Sequence, residues 1–180
     1  MKSKLFILIF ILSCLFYSCN KTKKDDGFKK ICNENYCEEG RLLNHKKVGV
    51  WKRYNDSNDL LRIENYHRGV LNGVSVSFYK NGKIYSVGSY KNGELHGNIS
   101  LFYENGNINS SDNYINGNKD GYSLLFDRNG NLKQKWFYRS GEKDGKQYYF
   151  DKKRDTTKIK LFKKGKLIRI VKKLEKDTIQ

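Results

Sequence analysis

Apolar residues along this chain follow two regimes. Leu5 to Tyr17 is a run of 13 mostly apolar residues without charge. Further on, apolar and polar residues alternate in short stretches punctuated by glycine and asparagine. Val76-Ser77-Phe78-Tyr79 and Ile84-Tyr85-Ser86-Val87 show the β-branched and aromatic content of half-buried strands. The punctuation is periodic. Gly49, Gly73, Gly97, Gly121 and Gly145 recur with period 24. A second glycine follows each at offset 20, from Gly69 to Gly165, and a third follows at offset nine in the middle units, as Gly82, Gly106 and Gly130. Thirteen of the 16 glycines occupy these three columns, so the period belongs to the architecture.

Five Asn-Gly pairs, ending at Gly82, Gly93, Gly106, Gly117 and Gly130, alternate at steps of 11 and 13. Such pairs tolerate positive φ at both positions and favour tight hairpins. The spacing leaves room for strands of about six to eight residues. Each unit therefore reads as a hairpin leading into the next. Aromatics recur at offset five from each repeat glycine (Tyr54, Phe78, Phe102, Phe126, Phe150) and at offset 17 (Tyr66, Tyr90, Tyr114, Tyr138, Phe162). They are expected to stack from unit to unit as a continuous core, since a lone hairpin is marginal.

The stretches Gly73 to Gly82, of the form G-x-x-x-x-[FY]-[YD]-x-N-G, and Tyr90 to Gly97, Y-x-N-G-x-x-x-G, resemble the MORN repeat (membrane occupation and recognition nexus) in its bacterial variant form. The resemblance runs from residue 41 to about 168. It implies an all-β fold, an elongated, twisted antiparallel sheet of tandem β-hairpins with period 24, following an N-terminal signal helix and a tether. The end units depart from the pattern, reading Asp56-Ser57-Asn58-Asp59 and Lys152-Lys153-Arg154-Asp155 at the turn, as expected of caps.

The apolar run near the N-terminus is too short to span a bilayer and, behind Lys2 and Lys4, suits a secretory signal. Its end, Leu15-Phe16-Tyr17-Ser18-Cys19, resembles the lipobox of bacterial lipoproteins. That resemblance implies cleavage between Ser18 and Cys19 and acylation of Cys19. The expected division is a signal peptide over 1–18, a tether over 19–40, a repeat domain over 41–171 with units starting at 49, 73, 97, 121 and 145, and a basic tail over 172–180. Lys24-Asp25-Asp26 resembles, at an unusual distance from the cysteine, the export signal of some surface lipoproteins. The expected location is the cell envelope, as an outer-membrane lipoprotein exposed at the surface. Cys32 and Cys37 remain as a C-x₄-C pair. In an exported chain they close a small disulfide loop or stay as two thiols. A metal site would need further ligands, and the nearest histidine is His45.

Charge is uneven. The chain carries 36 Lys and Arg against 19 Asp and Glu, and residues 139–180 alone carry 15 against six. This basic end suits anionic lipid or an acidic partner, or else it is a solvated sheet edge whose lysines block strand pairing. Export argues against nucleic acid. His45, His67 and His96 fall at different repeat offsets, and no nucleophile elbow or phosphate loop is present. No enzyme activity, cofactor or metal is expected. Aromatics outside the repeat columns, Trp51, Tyr85, Tyr103 and Trp136 among them, are candidates for contact with a partner. The expected function is an envelope-anchored, non-catalytic protein-interaction module. The alternative, implied by the antitoxin naming of some MORN-variant proteins, is an immunity protein that neutralises an exported toxin.

Overall fold

The computed structural model describes residues 26–172. Those residues form one open antiparallel sheet of 14 strands and contain no helix. The strands are β1 (Gly27–Cys32), β2 (Tyr36–Leu43), β3 (Lys46–Asn55), β4 (Leu60–His67), β5 (Val70–Phe78), β6 (Ile84–Lys91), β7 (Glu94–Phe102), β8 (Ile108–Ile115), β9 (Asn118–Phe126), β10 (Leu132–Arg139), β11 (Glu142–Lys143), β12 (Gly145–Phe150), β13 (Thr156–Lys163) and β14 (Lys166–Lys172). Each pairs with its sequence neighbour, except that the short β11 pairs β10 alone and β12 takes the next place in the sheet. The signal segment, Ser18, Cys19 and residues 173–180 lie outside the described residues.

The N-terminal boundary differs from expectation. Residues 27–40, assigned to the tether, belong to the sheet as β1 and most of β2. The reason is packing: β3 opens the first unit and needs a strand on its free side, and β2 supplies it. Cys32 and Cys37 are paired across the β1–β2 hairpin and joined by a disulfide.

Two kinds of turn alternate. At Asn92-Gly93 and Asn116-Gly117 both residues have positive φ, which defines the tight turn whose twist matches paired strands. Arg68-Gly69, Ser140-Gly141 and Lys164-Gly165 adopt the same geometry. Each of these glycines also donates its N–H to a carbonyl at the start of the preceding hairpin, as Gly93 does to Leu71 at 2.8 Å and Gly117 to Leu95 at 2.9 Å. Successive turns are thereby tied into a row. At Asn81-Gly82, Asn105-Gly106 and Asn129-Gly130 only the glycine is left-handed. There the loop is a tight turn closed by a glycine bulge, with Gly82 N–H donating to Tyr79 O at 2.9 Å. The capping units build the same loop with Asn58 (φ 62°) and Arg154 (φ 64°) in the glycine's place.

The core is a single row of residues crossing the sheet on one face. Register pairs Gly40 with Trp51, Trp51 with Glu64, Glu64 with Ser75, Ser75 with Gly88, Gly88 with Ile99, Ile99 with Asp112, Asp112 with Ser123, and Ser123 with Trp136. Directly opposed residues share a face. The steps of 11 and 13 in this row are the turn spacings read from the sequence. Glycine makes room where a neighbour is large: a Cβ at Gly40 would lie 2.5 Å from the Trp51 ring, and one at Gly88 3.2 Å from Ile99. Each repeat glycine lies opposite an aromatic of the other column, as Gly73 does Tyr90 and Gly97 does Tyr114.

The repeat aromatics do not form the expected ring-on-ring core. Members of one column sit on every second strand, about 10 Å apart at the usual strand spacing, beyond the reach of ring contact. The column at offset five pairs instead with aliphatics across the strand, Phe78 with Ile84 and Phe102 with Ile108. Both columns remain half-buried.

Candidate functional site

Two repeat positions set the chemistry of the core face. The row position at offset 15 from each repeat glycine holds Glu64, Gly88, Asp112, Trp136 and Lys160, with Gly40 one period before Glu64. The position at offset 22 holds Leu71, Leu95, Lys119, Lys143 and Leu167, with Lys47 one period before Leu71. Where a lysine meets an acid on this face, they pair.

Lys47 Nζ donates to Glu38 Oε2 and lies 4.5 Å from the centre of the Trp51 ring, while Arg53 Nε donates to Glu38 Oε1 at 2.8 Å. Burial disfavours the Glu38 carboxylate, but the hydrogen bonds and charges of Lys47 and Arg53 together outweigh it and hold its pKa below the ordinary value. Glu64 accepts from Arg62 at 3.2 Å and from the Tyr66 hydroxyl at 3.0 Å. Burial, reinforced by the Glu64 charge, pushes Tyr66 up to about 12. Lys119 donates to Asp112 at 2.9 Å. Burial works against the Lys119 ammonium, yet its bond and proximity to Asp112 raise its pKa overall. These cations are neutralised inside the sheet.

The fourth unit breaks the pattern. Trp136 stands where Asp112 stood one period earlier, and Lys143 has no ion pair among the described residues. Its Nζ lies 4.0 Å from the centre of the Trp136 ring and 5.5 Å from that of Phe162. Burial first, then the charges of Lys160 and Lys119, lower its pKa. Lys158 and Lys160 lie 5.6 and 5.5 Å from the Tyr149 ring, and Tyr149 is 6.1 Å from Trp136. The indole Nε1 of Trp136 is buried and has no hydrogen-bond partner among the described residues. The face therefore passes from compensated cations in β2–β9 to uncompensated cations framed by aromatic rings in β10–β13. Ammonium groups left without a counter-ion in this way suit carboxylates and other anions as hydrogen-bond acceptors.

Gln147 holds this end of the sheet together. It is fully buried at 0 % exposure, accepts from Phe137 N at 3.0 Å and donates to Phe137 O and Asp144 O, each at 3.1 Å. Its side chain replaces the ladder that β11 interrupts between β10 and β12.

The four aromatics singled out in the sequence occupy different settings. Trp51 is corrected from contact residue to core: it is 2 % exposed and closed in by Gly40 and Lys47. Tyr103 is tied down, its hydroxyl donating to Phe126 O in the next unit at 2.9 Å, as Tyr79 does to Phe102 O at 2.6 Å. Tyr85 is 43 % exposed and packs edge-on against Tyr79, at 5.1 Å. Trp136 alone of the four belongs to the cationic cluster. Sequence reasoning missed Lys143; the signal was a lysine in a column that is otherwise mostly leucine, with tryptophan in place of its acid. His96 on β7 meets Asn116 of the next tied turn at 3.2 Å, and no group of three or more His, Cys, Asp or Glu among the described residues is placed to hold a metal ion.

Among solved structures, the chain is similar to one described as "Crystal Structure of TarM", with 14 % identity, 83 % of this chain and 22 % of that chain covered, and a TM-score of 0.29. It thus spans about a fifth of that protein's length. No curated protein matches the chain significantly. The family profile described as "MORN repeat variant" matches residues 71–92, 95–116 and 119–140. Each matched stretch opens at the offset-22 residue, Leu71, Leu95 or Lys119, and closes on the first residue of the next tied turn, Asn92, Asn116 or Ser140. Three consecutive stretches in the middle of the chain thus match the MORN-variant repeat.

Proposed function

We propose that this protein is a non-catalytic interaction module, tethered at the cell envelope through lipid on Cys19, that grips an acidic macromolecular partner with the cation–aromatic face of β10–β13. The observation that carries the reading is Lys143: a half-buried ammonium with two rings beside it and no counter-ion, at a position where Lys47 and Lys119 each have one. An unpaired cation in that setting is a local cost, since its pKa is lowered by burial and by like charges. An acidic partner would supply the missing counter-ion, and Trp136 and Tyr149 would supply ring surface around it. The repeat array supports this reading by giving a long, rigid surface whose periodic residues serve turns and packing.

The test is capture from crosslinked cell envelopes by wild type, Trp136→Ala, Lys143→Leu and the remote control Lys91→Ala. Leucine is chosen because Leu71 and Leu95 fill the same column. Recovery of one partner should fall at least ten-fold for the first two variants, stay unchanged for Lys91→Ala, and weaken with added salt. Capture that ignores both Trp136 and Lys143 would leave the array as a passive spacer.

A further inference from the structure

Among the described residues, the last strand of the sheet is the first strand of a unit. β14 opens a sixth unit in the manner of β5, β7 and β9, directly after a tied turn. Those three openers are paired on both sides, whereas β14, among the described residues, is paired with β13 alone. Its outer edge offers a row of backbone donors and acceptors about seven residues, or roughly 23 Å, long. Leu167, Ile168, Ile170 and Val171 on it are 48, 58, 48 and 40 % exposed.

Sheets usually protect such an edge with bulges and charges. Here the bulge is reduced. The repeat glycine that kinks earlier openers is replaced by Arg169, which lacks positive φ. The slip against the preceding strand shrinks from two positions, between the pairs Glu64–Ser75 and Tyr66–Leu71, to one, between Lys160–Ile170 and Phe162–Leu167. The charge is retained. Lys166 and Arg169 have no ion pair among the described residues, and Lys163 lies directly opposite Lys166. Like charges opposed across strands are unfavourable. A second copy would make this worse, because β14 against β14 sets lysine and arginine against their own kind, and the opposite edge, β1, carries the exposed Lys30 and no acid.

We propose that β14 is a docking edge for an extended, acidic strand of a protein partner, which adds to the sheet as its fifteenth strand. The inference deepens the reading above by naming a mode of contact. Main-chain hydrogen bonds would hold the added strand, its acidic side chains would lie near Lys166 and Arg169, and its apolar side chains would cover the exposed aliphatics. The edge is thereby closed to copies of this chain and open to a segment of opposite charge.

The test uses the full chain and three synthetic heptapeptides: alternating Glu and Val, the same peptide N-methylated at its three valines, and alternating Lys and Val. The acidic peptide should bind and slow amide exchange along β14 at least ten-fold. N-methylation should weaken binding at least ten-fold, and the lysine peptide should not bind. Lys143→Leu should leave the protection of β14 unchanged. No binding by the acidic peptide overturns the proposal. Equal binding by the N-methylated peptide overturns it too, while leaving the cation–aromatic face as the site of capture. Protection of β14 before any peptide is added would show that residues 173–180 or a second copy occupies the edge, with sedimentation separating those two cases; either result overturns the proposal.

Discussion

Arg154 sits in a backbone conformation that its side chain does not favour. Five equivalent loops place residue 58, 82, 106, 130 or 154 in the left-handed region, with φ of 62, 78, 91, 82 and 64°. Three use glycine. Arg154 donates its N–H to Asp151 O at 3.1 Å as Gly130 does to Asp127 O at 2.9 Å, so the loop is the same. The Arg154 side chain is exposed and makes no ion pair among the described residues, so removing it forfeits little. A left-handed residue with a Cβ costs about 1–2 kcal/mol. Glycine's extra freedom in the unfolded chain takes back about 0.5–1 kcal/mol. Arg154→Gly should therefore stabilise by up to about 1.5 kcal/mol, a rise of up to roughly 6 °C in Tm for a chain of this size. Gly106→Arg should cost a similar amount, and Asn58→Gly should be nearly neutral because asparagine tolerates this region. Thermal unfolding by circular dichroism reads the global effect. Amide exchange at residues 151–155 reads the local one, which matters because a repeat array does not have to unfold in one step. A lower Tm for Arg154→Gly, or a costless Gly106→Arg, would refute the equivalence of the five loops.

Two further outcomes are expected. The Glu38 carboxylate has its pKa lowered from 4.5 in the fold, so its contribution is complete above that value and is lost as pH falls through the lower folded value; Glu38→Gln should reduce stability at pH 7 and flatten its decline on acidification, and an unchanged pH profile would argue that Lys47 and Arg53 do not stabilise the ionised form. Cys19→Ala should abolish incorporation of a labelled fatty acid, and undiminished labelling in that variant would remove the lipid anchor from the proposal.

The architecture was legible because backbone geometry selects residue types strongly. Left-handed turns select glycine and asparagine, and tied hairpins repeat them at one fixed period, so the fold and the pairing of neighbouring strands followed from the glycine columns between Gly49 and Gly165. The start of the sheet was not legible. Residues 27–40 contain no repeat motif, and only the need of β3 for a partner, with Gly40 under Trp51, reveals them as strands. The core was misjudged for a geometric reason: a column spaced every second strand cannot stack, however regular it looks in sequence. The same geometry explains Trp51. Trp51 and Trp136 both stand out from the repeat, but Trp51 falls opposite a glycine that admits its ring, whereas the indole nitrogen of Trp136 finds no acceptor.

The distribution of acids on the core face is what separates its paired lysines from its unpaired ones. A lysine in a β-sheet array needs no special explanation when a carboxylate accepts from it, because the pair then behaves as part of the fold. Glu38 and Asp112 meet that need for Lys47 and Lys119. Beyond Asp112 the row runs through Ser123 and Trp136, then from Gln147 to Lys160, and contains no further acid while the lysines continue. Stability alone would favour leucine at position 143, as in the units that begin at Gly49 and Gly73, since leucine carries no charge to desolvate and meets no repulsion from Lys160. Lysine there, with tryptophan in place of its acid, leaves a positive, ring-lined surface on this face; on β14 the same face carries Leu167 and Ile170, whereas Lys166 and Arg169, opposite Lys163 and Leu161, lie on the other. On the proposed reading, acidic groups would offset the desolvated Lys143 on one face and the opposed charges of Lys163 and Lys166 on the other, so substitutions at the two sites should act independently.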